Sequence, residues 1–97
     1  MPAGSKIMKN HGGAMWDTLF IMVKDNDEDF IMEFIKRTPC IMCMNHALKK
    51  IEKHYDFKEK SIDETRRLLW SLRCSLIGKY KDDDESFNRY IDFLNIV

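Results

Sequence analysis

The chain has 97 residues, 44% of them hydrophobic and 33% charged, a composition typical of one small folded domain near the lower size limit for an unaided core. Sixteen basic and sixteen acidic residues cancel, which argues against nucleic acid or an anionic membrane surface as a partner. The longest apolar run, residues 19–23, is far too short for a membrane span. Residues 1–10 read as a flexible lead without the apolar core of a signal peptide, and residues 11–97 as a single domain.

Apolar residues recur at helical spacing along the chain, and no segment alternates at period two for long enough to predict a strand. The first predicted helix spans residues 14–24 and ends at the acidic segment DNDED. Asp27 is the expected N-cap of the second helix, which has to end near Thr38 because the residue before a proline is disfavoured in the α conformation. The inward-facing stripes of these two helices are Trp16, Leu19, Phe20 and Val23, and then Phe30, Ile31, Phe34 and Ile35.

A third helix is predicted from Cys40 to about His54, with Thr38 as its N-cap and Pro39 at its first position. The residues that we expect it to bury are Cys43, Ala47, Leu48 and Ile51. The following segment, YDFKEK, predicts a loop.

The sequence SIDE at residues 61–64 is a capping box that opens a fourth helix, for which Gly78 is the expected left-handed stop. The inward-facing residues of this helix are predicted to be Leu69, Leu72 and Leu76, and those of a last short helix Phe87, Tyr90, Ile91 and Leu94. Five helices with short connections predict an all-α fold, a four-helix bundle with a short fifth helix.

Two cysteines three residues apart, Cys40 and Cys43, precede His46 by a further three. This spacing is compatible with a redox disulfide, with a metal site or with two inert buried thiols. A thioredoxin-like pair is excluded because it requires a βαβ pattern. Zinc would need a fourth ligand beside Cys40, Cys43 and His46, for which His11, His54 and Cys74 are the candidates. On the redox interpretation, the first turn of a helix lowers the pKa of the Cys40 thiol, while Cys43 points deeper into the bundle.

Three segments of the chain carry a resemblance to a known family. The stretch PCIMCMNHA at residues 39–47 resembles the PCxxCxxHA segment of the Erv/ALR flavin-linked sulfhydryl oxidases. The stretch HGGAMWDTL at residues 11–19 is similar to that family's HWGxxxWxxL opening, and WSLRCSLIGK at residues 70–79 lines up with its HNxVNxxLGK segment. The short viral, poxvirus-like members are closest in size.

The resemblance implies a helical bundle that binds FAD and forms a homodimer. In this family the CxxC pair takes electrons from a substrate dithiol and passes them through FAD to oxygen, which yields hydrogen peroxide. Cys40 would be the interchange thiol and Cys43 the thiol next to the flavin. The cofactor-binding residues that the resemblance implies are Gly13, Trp16, Phe20, Cys43, His46, Trp70, Arg73, Cys74 and Lys79, with no metal.

The departures from the family pattern concentrate at the positions that hold the adenine half of FAD. They are Gly12, Ala14, Phe20, Trp70, Arg73 and Cys74. Trp70 is nevertheless expected to stack on adenine, and Arg73 and Lys79 to lie near the phosphates.

The sequence therefore predicts an FAD-dependent thiol oxidase that makes disulfides in a partner protein. Because the chain has no second CxxC pair to act as a shuttle, the expected substrate is a small thioredoxin- or glutaredoxin-like protein that meets Cys40 directly. A poxvirus-like member would act in the cytoplasm of the host or in the virion. The alternatives are a flavin-free interaction protein that docks through Met42 and Met44, and a zinc-stabilised helical module.

Overall fold

The computed structural model describes residues 11–38 and 40–96, with side chains from residue 14 onward. The predicted lead, residues 1–10, and the role of Pro39 lie outside these residues. The described chain folds into five helices and contains no strand, so the predicted all-α class is confirmed. They are α1 (His11–Met22), α2 (Glu28–Lys36), α3 (Ile41–His54), α4 (Ile62–Leu76) and α5 (Asp84–Leu94). Within this part of the chain no helix is both long and apolar enough to span a membrane.

Helix α4 lies at the centre of the domain, packed against α3 and α1, while α2 packs against α3. The predicted stripe of α1 is buried at Leu19, Phe20 and Val23, and that of α2 at Ile31 and Ile35. The other buried apolar side chains are Ala47 of α3, Leu69, Trp70, Leu72 and Cys74 of α4, and Phe57. Several predicted core residues are only half-buried: Trp16, Phe30, Phe34, Leu48, Ile51, Leu76, Phe87, Tyr90, Ile91 and Leu94.

The segments DNDED and YDFKEK, both predicted only as breaks between helices, hold each other in place. The backbone N–H of Asn26 donates to the carbonyl of Lys60 at 2.7 Å, and the Asn26 side chain accepts from the Glu59 N–H at 3.2 Å. In the same loop Phe57 is only 1% exposed, so a residue predicted to lie in a loop belongs to the core. The connection is thereby fixed against the domain.

Helix α3 begins one residue later than predicted, and its N-cap is Cys40 rather than Thr38. Thr38 instead lies in the turn that follows α2, where its N–H donates to the carbonyl of Ile35 at 3.1 Å. Asp27 does occupy the N-cap position of α2, but its carboxylate accepts from the Lys24 N–H and makes no cap hydrogen bond to its own helix.

Of the two predictions for the ends of α4, the one for its start is confirmed and the one for its end is wrong. The capping box is confirmed, since the Ser61 Oγ accepts from the Glu64 N–H at 3.2 Å and the Glu64 carboxylate accepts from the Ser61 N–H at 3.1 Å. The predicted left-handed stop at Gly78 is wrong, because no glycine in the described residues has a positive φ. The helix ends earlier, at Leu76, where Ile77 turns to an extended conformation with φ −122° and ψ 99°.

Charged residues fasten α5 to α4. Arg67 of α4 forms ion pairs with Asp82 at 2.8 Å and Asp84 at 2.9 Å, which anchors the acidic turn before α5. Asp83 caps α5 by accepting from the Ser86 N–H at 2.7 Å. The acidic run therefore both caps a helix and pairs with a half-buried arginine.

We predict that Ser61→Ala lowers the free energy of unfolding by about 1 kcal/mol, because the first turn of α4 loses a backbone N–H acceptor. Urea titration followed by circular dichroism measures the change. The matched control is Ser75→Ala, an exposed position later in α4, where the change should stay within about 0.5 kcal/mol. Equal losses in the two variants would show that the cap contributes nothing specific.

Candidate active site

Cys40 and Cys43 lie together at the start of α3. Cys40 is extended, with φ −85° and ψ 102°, and its Sγ accepts a hydrogen bond from the Cys43 N–H at 3.2 Å. Both thiols are free and exposed. The prediction that Cys43 is buried is therefore wrong: burial on α3 begins one turn later, at Ala47, and Cys43 stands in the open first turn.

The two thiols differ in acidity because they interact with each other. The hydrogen bond from the Cys43 thiol, and then the Cys43 backbone N–H, lower the pKa of the Cys40 thiol below its ordinary value. The same thiol–thiol contact is the main cause that raises the pKa of Cys43, with desolvation second. The first proton that the pair loses therefore comes from Cys40, which becomes both nucleophile and good leaving group.

A cavity of about 310 Å³ opens beside the two cysteines. Cys40, Cys43 and His46 form one side of it. The remaining walls come from α1, α2, α3 and the end of α4 and are mainly apolar; they include Trp16, Leu19, Phe34, Met44, Ala47 and Leu76. The structure thus brings together four of the residues predicted to be functional, Trp16, Cys40, Cys43 and His46, from two different helices.

Apart from Trp16, the apolar side chains of the other walls were not predicted to bind a cofactor. Phe34 and Ile35 were recognised only as one stripe of α2, and Leu76 only as a core position of α4. Met44, predicted to be an exposed docking residue, is half-buried and lines the cavity, whereas Met42 is exposed as predicted. Helical periodicity identifies such side chains as apolar but does not tell which of them border an opening.

The other predicted cofactor residues lie elsewhere. Trp70, Arg73 and Lys79 line a second, open groove formed with α5. Phe20 and Cys74 are buried in the core and line neither this groove nor the cavity. Gly13 falls within α1, but its surroundings are outside the described part of the chain.

Trp70 is enclosed by aromatic rings. The residue is only 2% exposed, and its ring stacks on that of Tyr90 with centroids 5.1 Å apart and an interplanar angle of 27°. Tyr80 and Phe87 lie beside the same indole, and its Nε1 donates to the Lys81 carbonyl at 3.0 Å. Trp70 thus serves to hold α5 and the preceding turn on α4.

Arg73 is also buried, at 4% exposure, between the rings of two tyrosines. Its guanidinium carbon lies 4.8 Å from the ring centroid of Tyr80 and 4.9 Å from that of Tyr90. Asp17 of α1 is its nearest counter-charge, 3.8 Å from Nη1, and the Tyr90 hydroxyl donates to the same carboxylate at 2.5 Å. Burial and this hydrogen bond raise the pKa of Tyr90, so the phenol stays protonated. No pattern in the sequence indicated this cluster, which joins α1, α4 and α5.

The metal interpretation finds no geometric support. Among the described side chains, those of residues 14–38 and 40–96, there is no group of three or more His, Cys, Asp or Glu placed to hold a metal ion; the side chain of His11, a candidate fourth ligand, lies outside them. Cys74 is buried away from the cavity, and His54 ends α3 about 16 Å beyond Cys43 along the helix axis.

The chain matches no protein-family model, no curated protein and no solved structure. The described residues establish a small all-α domain of five helices with a CxxC pair at the start of one helix. That pair borders an apolar cavity, and its function has to be argued from this geometry.

We predict that iodoacetamide at neutral pH alkylates Cys40 first, Cys43 more slowly and buried Cys74 last. The reason is that the thiolate reacts: the pKa of Cys40 is lowered, whereas those of Cys43 and Cys74 are raised. As pH rises, Cys40 should become reactive at a lower pH than Cys43. Mass-spectrometric mapping of the labelled peptides gives the rates.

The urea-unfolded protein is the control for this experiment, because there the three thiols should react at similar rates. Equal rates for Cys40 and Cys43 in the folded protein would contradict the assigned hydrogen bond.

Proposed function

We propose that this protein is a flavin-linked thiol oxidase, with FAD as the flavin that the resemblance to the Erv/ALR family predicts. The observation that carries the proposal is that an exposed dithiol with one acidic thiol borders an apolar cavity that Trp16 and His46 also line. These are the residue types, and the places in the motifs, that the family resemblance assigns to the redox pair and to the flavin ring.

The cavity is compatible with the ring portion of a flavin. Its volume, about 310 Å³, is at the lower end of the roughly 300–1,000 Å³ typical of small-molecule sites. The apolar walls would exclude water from a bound ring, with Trp16 as the large aromatic surface and His46 as a polar group at the rim. A bound flavin would supply a two-electron acceptor that oxygen reoxidises with release of hydrogen peroxide.

The thiol chemistry starts from an oxidised Cys40–Cys43 pair. A substrate thiolate attacks the Cys40 Sγ, the bond between the two sulfurs breaks, and Cys43 leaves as a thiolate that takes up a proton. The second substrate thiolate then attacks the substrate sulfur that is bonded to Cys40, and Cys40 leaves as a thiolate. The lowered pKa of Cys40 makes it a good leaving group. The substrate ends as a disulfide, and the pair holds its two electrons next to the cavity.

The surface around the pair favours a protein substrate. Ile41 is 67% exposed and Met42 is 72% exposed, and both stand between the two cysteines. Because the chain has no further CxxC, a partner such as a thioredoxin- or glutaredoxin-like protein would dock on these side chains and present its dithiol to Cys40. The same exposure favours the second candidate function, a flavin-free interaction protein.

Flavin reduction distinguishes these two candidates. We predict that the protein loaded with FAD is yellow and loses its flavin absorbance when dithiothreitol is added without oxygen. Cys43→Ser should retain the yellow colour but reduce bleaching to the background rate, because the pair can no longer form its internal disulfide.

The control variant is Cys74→Ala, which removes the thiol that does not border the cavity and should bleach at the rate of the unaltered protein. Full bleaching of Cys43→Ser would exclude the proposed mechanism. A protein that is colourless after incubation with FAD and removal of unbound flavin by gel filtration would favour the interaction function.

We predict that Met42→Gln raises the KM for a reduced thioredoxin by about tenfold, because the few residues that dominate binding lie near the centre of an interface and cost more than about 1 kcal/mol each when altered. The neutral amide adds no charge beside Cys40. The rate with dithiothreitol should stay unchanged, because a small thiol does not need the docking surface.

Met22→Gln is the matched control, an exposed methionine at the end of α1. Equal effects on thioredoxin and on dithiothreitol would show that Met42 acts on the thiols and not on docking.

A further inference from the structure

We propose that this site recognises a flavin through its ring alone, so that riboflavin, flavin mononucleotide and FAD bind with similar affinity. The inference rests on the proposed function, since it assumes that the cavity takes a flavin. It departs from what the resemblance implies, namely that residues 70–79 hold the adenosine half of FAD.

The cavity beside the cysteines offers a flavin ring what it needs. It is about 310 Å³, mainly apolar, and bordered by Trp16 of α1 and by Met44 and Ala47 of α3. Burial of a flat aromatic ring against such walls gives affinity from apolar area and from aromatic contact, with no requirement for a charged partner.

The residues expected to hold adenine are already occupied by the protein itself. Trp70 is 2% exposed and stacks on Tyr90, with Tyr80 and Phe87 against other parts of the ring. An adenine could stack on this indole only by displacing Tyr90, whose hydroxyl is held by Asp17. Such a displacement would also detach α5 from α1.

The residue expected to meet the phosphates is equally closed. The Nε and Nη1 atoms of Arg73 have neither a hydrogen-bond partner nor contact with solvent, because Tyr80 and Tyr90 enclose the guanidinium. Asp17, 3.8 Å from Nη1, already supplies a negative charge, which an incoming phosphate would have to approach. Lys79, Lys81 and Arg89 also line this groove, but all three are exposed, and solvated ion pairs contribute little affinity each.

The groove that Trp70, Arg73 and Lys79 line is open, and in it the indole of Trp70 and the guanidinium of Arg73 are covered by the protein's own side chains, so the adenosine and phosphate groups of FAD would stay solvated there. Groups that stay solvated change the binding free energy little. The ring, which the three flavins share, would thus determine the affinity for each of them.

The test is calorimetric titration of the full-length protein with riboflavin, flavin mononucleotide and FAD. We expect dissociation constants within about tenfold of one another, and no displacement of riboflavin by excess ADP. FAD binding more than about a hundredfold tighter than riboflavin, or displacement by ADP, would overturn the inference.

Two groups of variants locate the contact. Trp16→Ala should raise the Kd for all three flavins by about tenfold or more, and by the same factor for each, because the ring is common to them. His46→Ala, at an exposed residue on the cysteine side of the same cavity, repeats the test without risk to the core. Lys79→Ala and Phe93→Ala, at the second groove, should leave FAD binding unchanged; a selective loss of FAD in Lys79→Ala would contradict the inference.

The failure of this inference differs from the failure of the proposed function. Tight binding of FAD with weak binding of riboflavin would leave the thiol oxidase proposal standing and overturn ring-only recognition. Binding of none of the three flavins would overturn both.

Discussion

Cys40 stands where a serine, threonine or aspartate usually caps a helix, and the site depends on this exchange of an oxygen for a sulfur. The sulfur accepts a hydrogen bond from the Cys43 N–H at 3.2 Å and so satisfies one of the backbone donors that have no partner within α3. A thiolate is a better acceptor than a thiol, so the helix terminus favours the ionised sulfur, and the ionised sulfur in turn favours the helix terminus. Structure and reactivity at Cys40 are therefore linked, because the Cys43 N–H that Cys40 caps is, after the Cys43 thiol, the second cause that lowers the pKa of Cys40.

The remainder of the site depends on the last two turns of α4. The end of these turns borders the cavity, and their beginning is packed under α5. Leu76 and the adjoining Ile77 border the cavity beside the cysteines. One to two turns earlier, Arg73 and Trp70 are enclosed by α5 and Asp17. The side of α4 toward the cysteines is open to a ligand, while the side toward α5 uses its aromatic and cationic groups for packing.

An apolar cavity next to a dithiol has an energetic consequence for the whole domain. Side chains such as Phe34 and Met44 lack packing partners on the side that faces the opening, so they forgo dispersion contacts that a close-packed core would provide. A ligand that fills this space would restore these contacts and stabilise the folded state by an amount that grows with the logarithm of the ratio of its concentration to its Kd. For a domain of 97 residues, whose core is small, such linkage would add substantially to its stability.

Local interactions account for what the sequence alone determined. Helical spacing identified the five helices and the stripes of α1 and α2, and the Ser61–Glu64 capping box was correct because both partners lie within one turn. The CxxC pair was likewise placed at the start of a helix. Burial, by contrast, depends on which element lies across from a side chain. Only the tertiary structure could show that Cys43 is exposed, that Phe57 of a loop is core, and that Tyr80, Tyr90 and Asp17 enclose Arg73, because those neighbours come from distant parts of the chain.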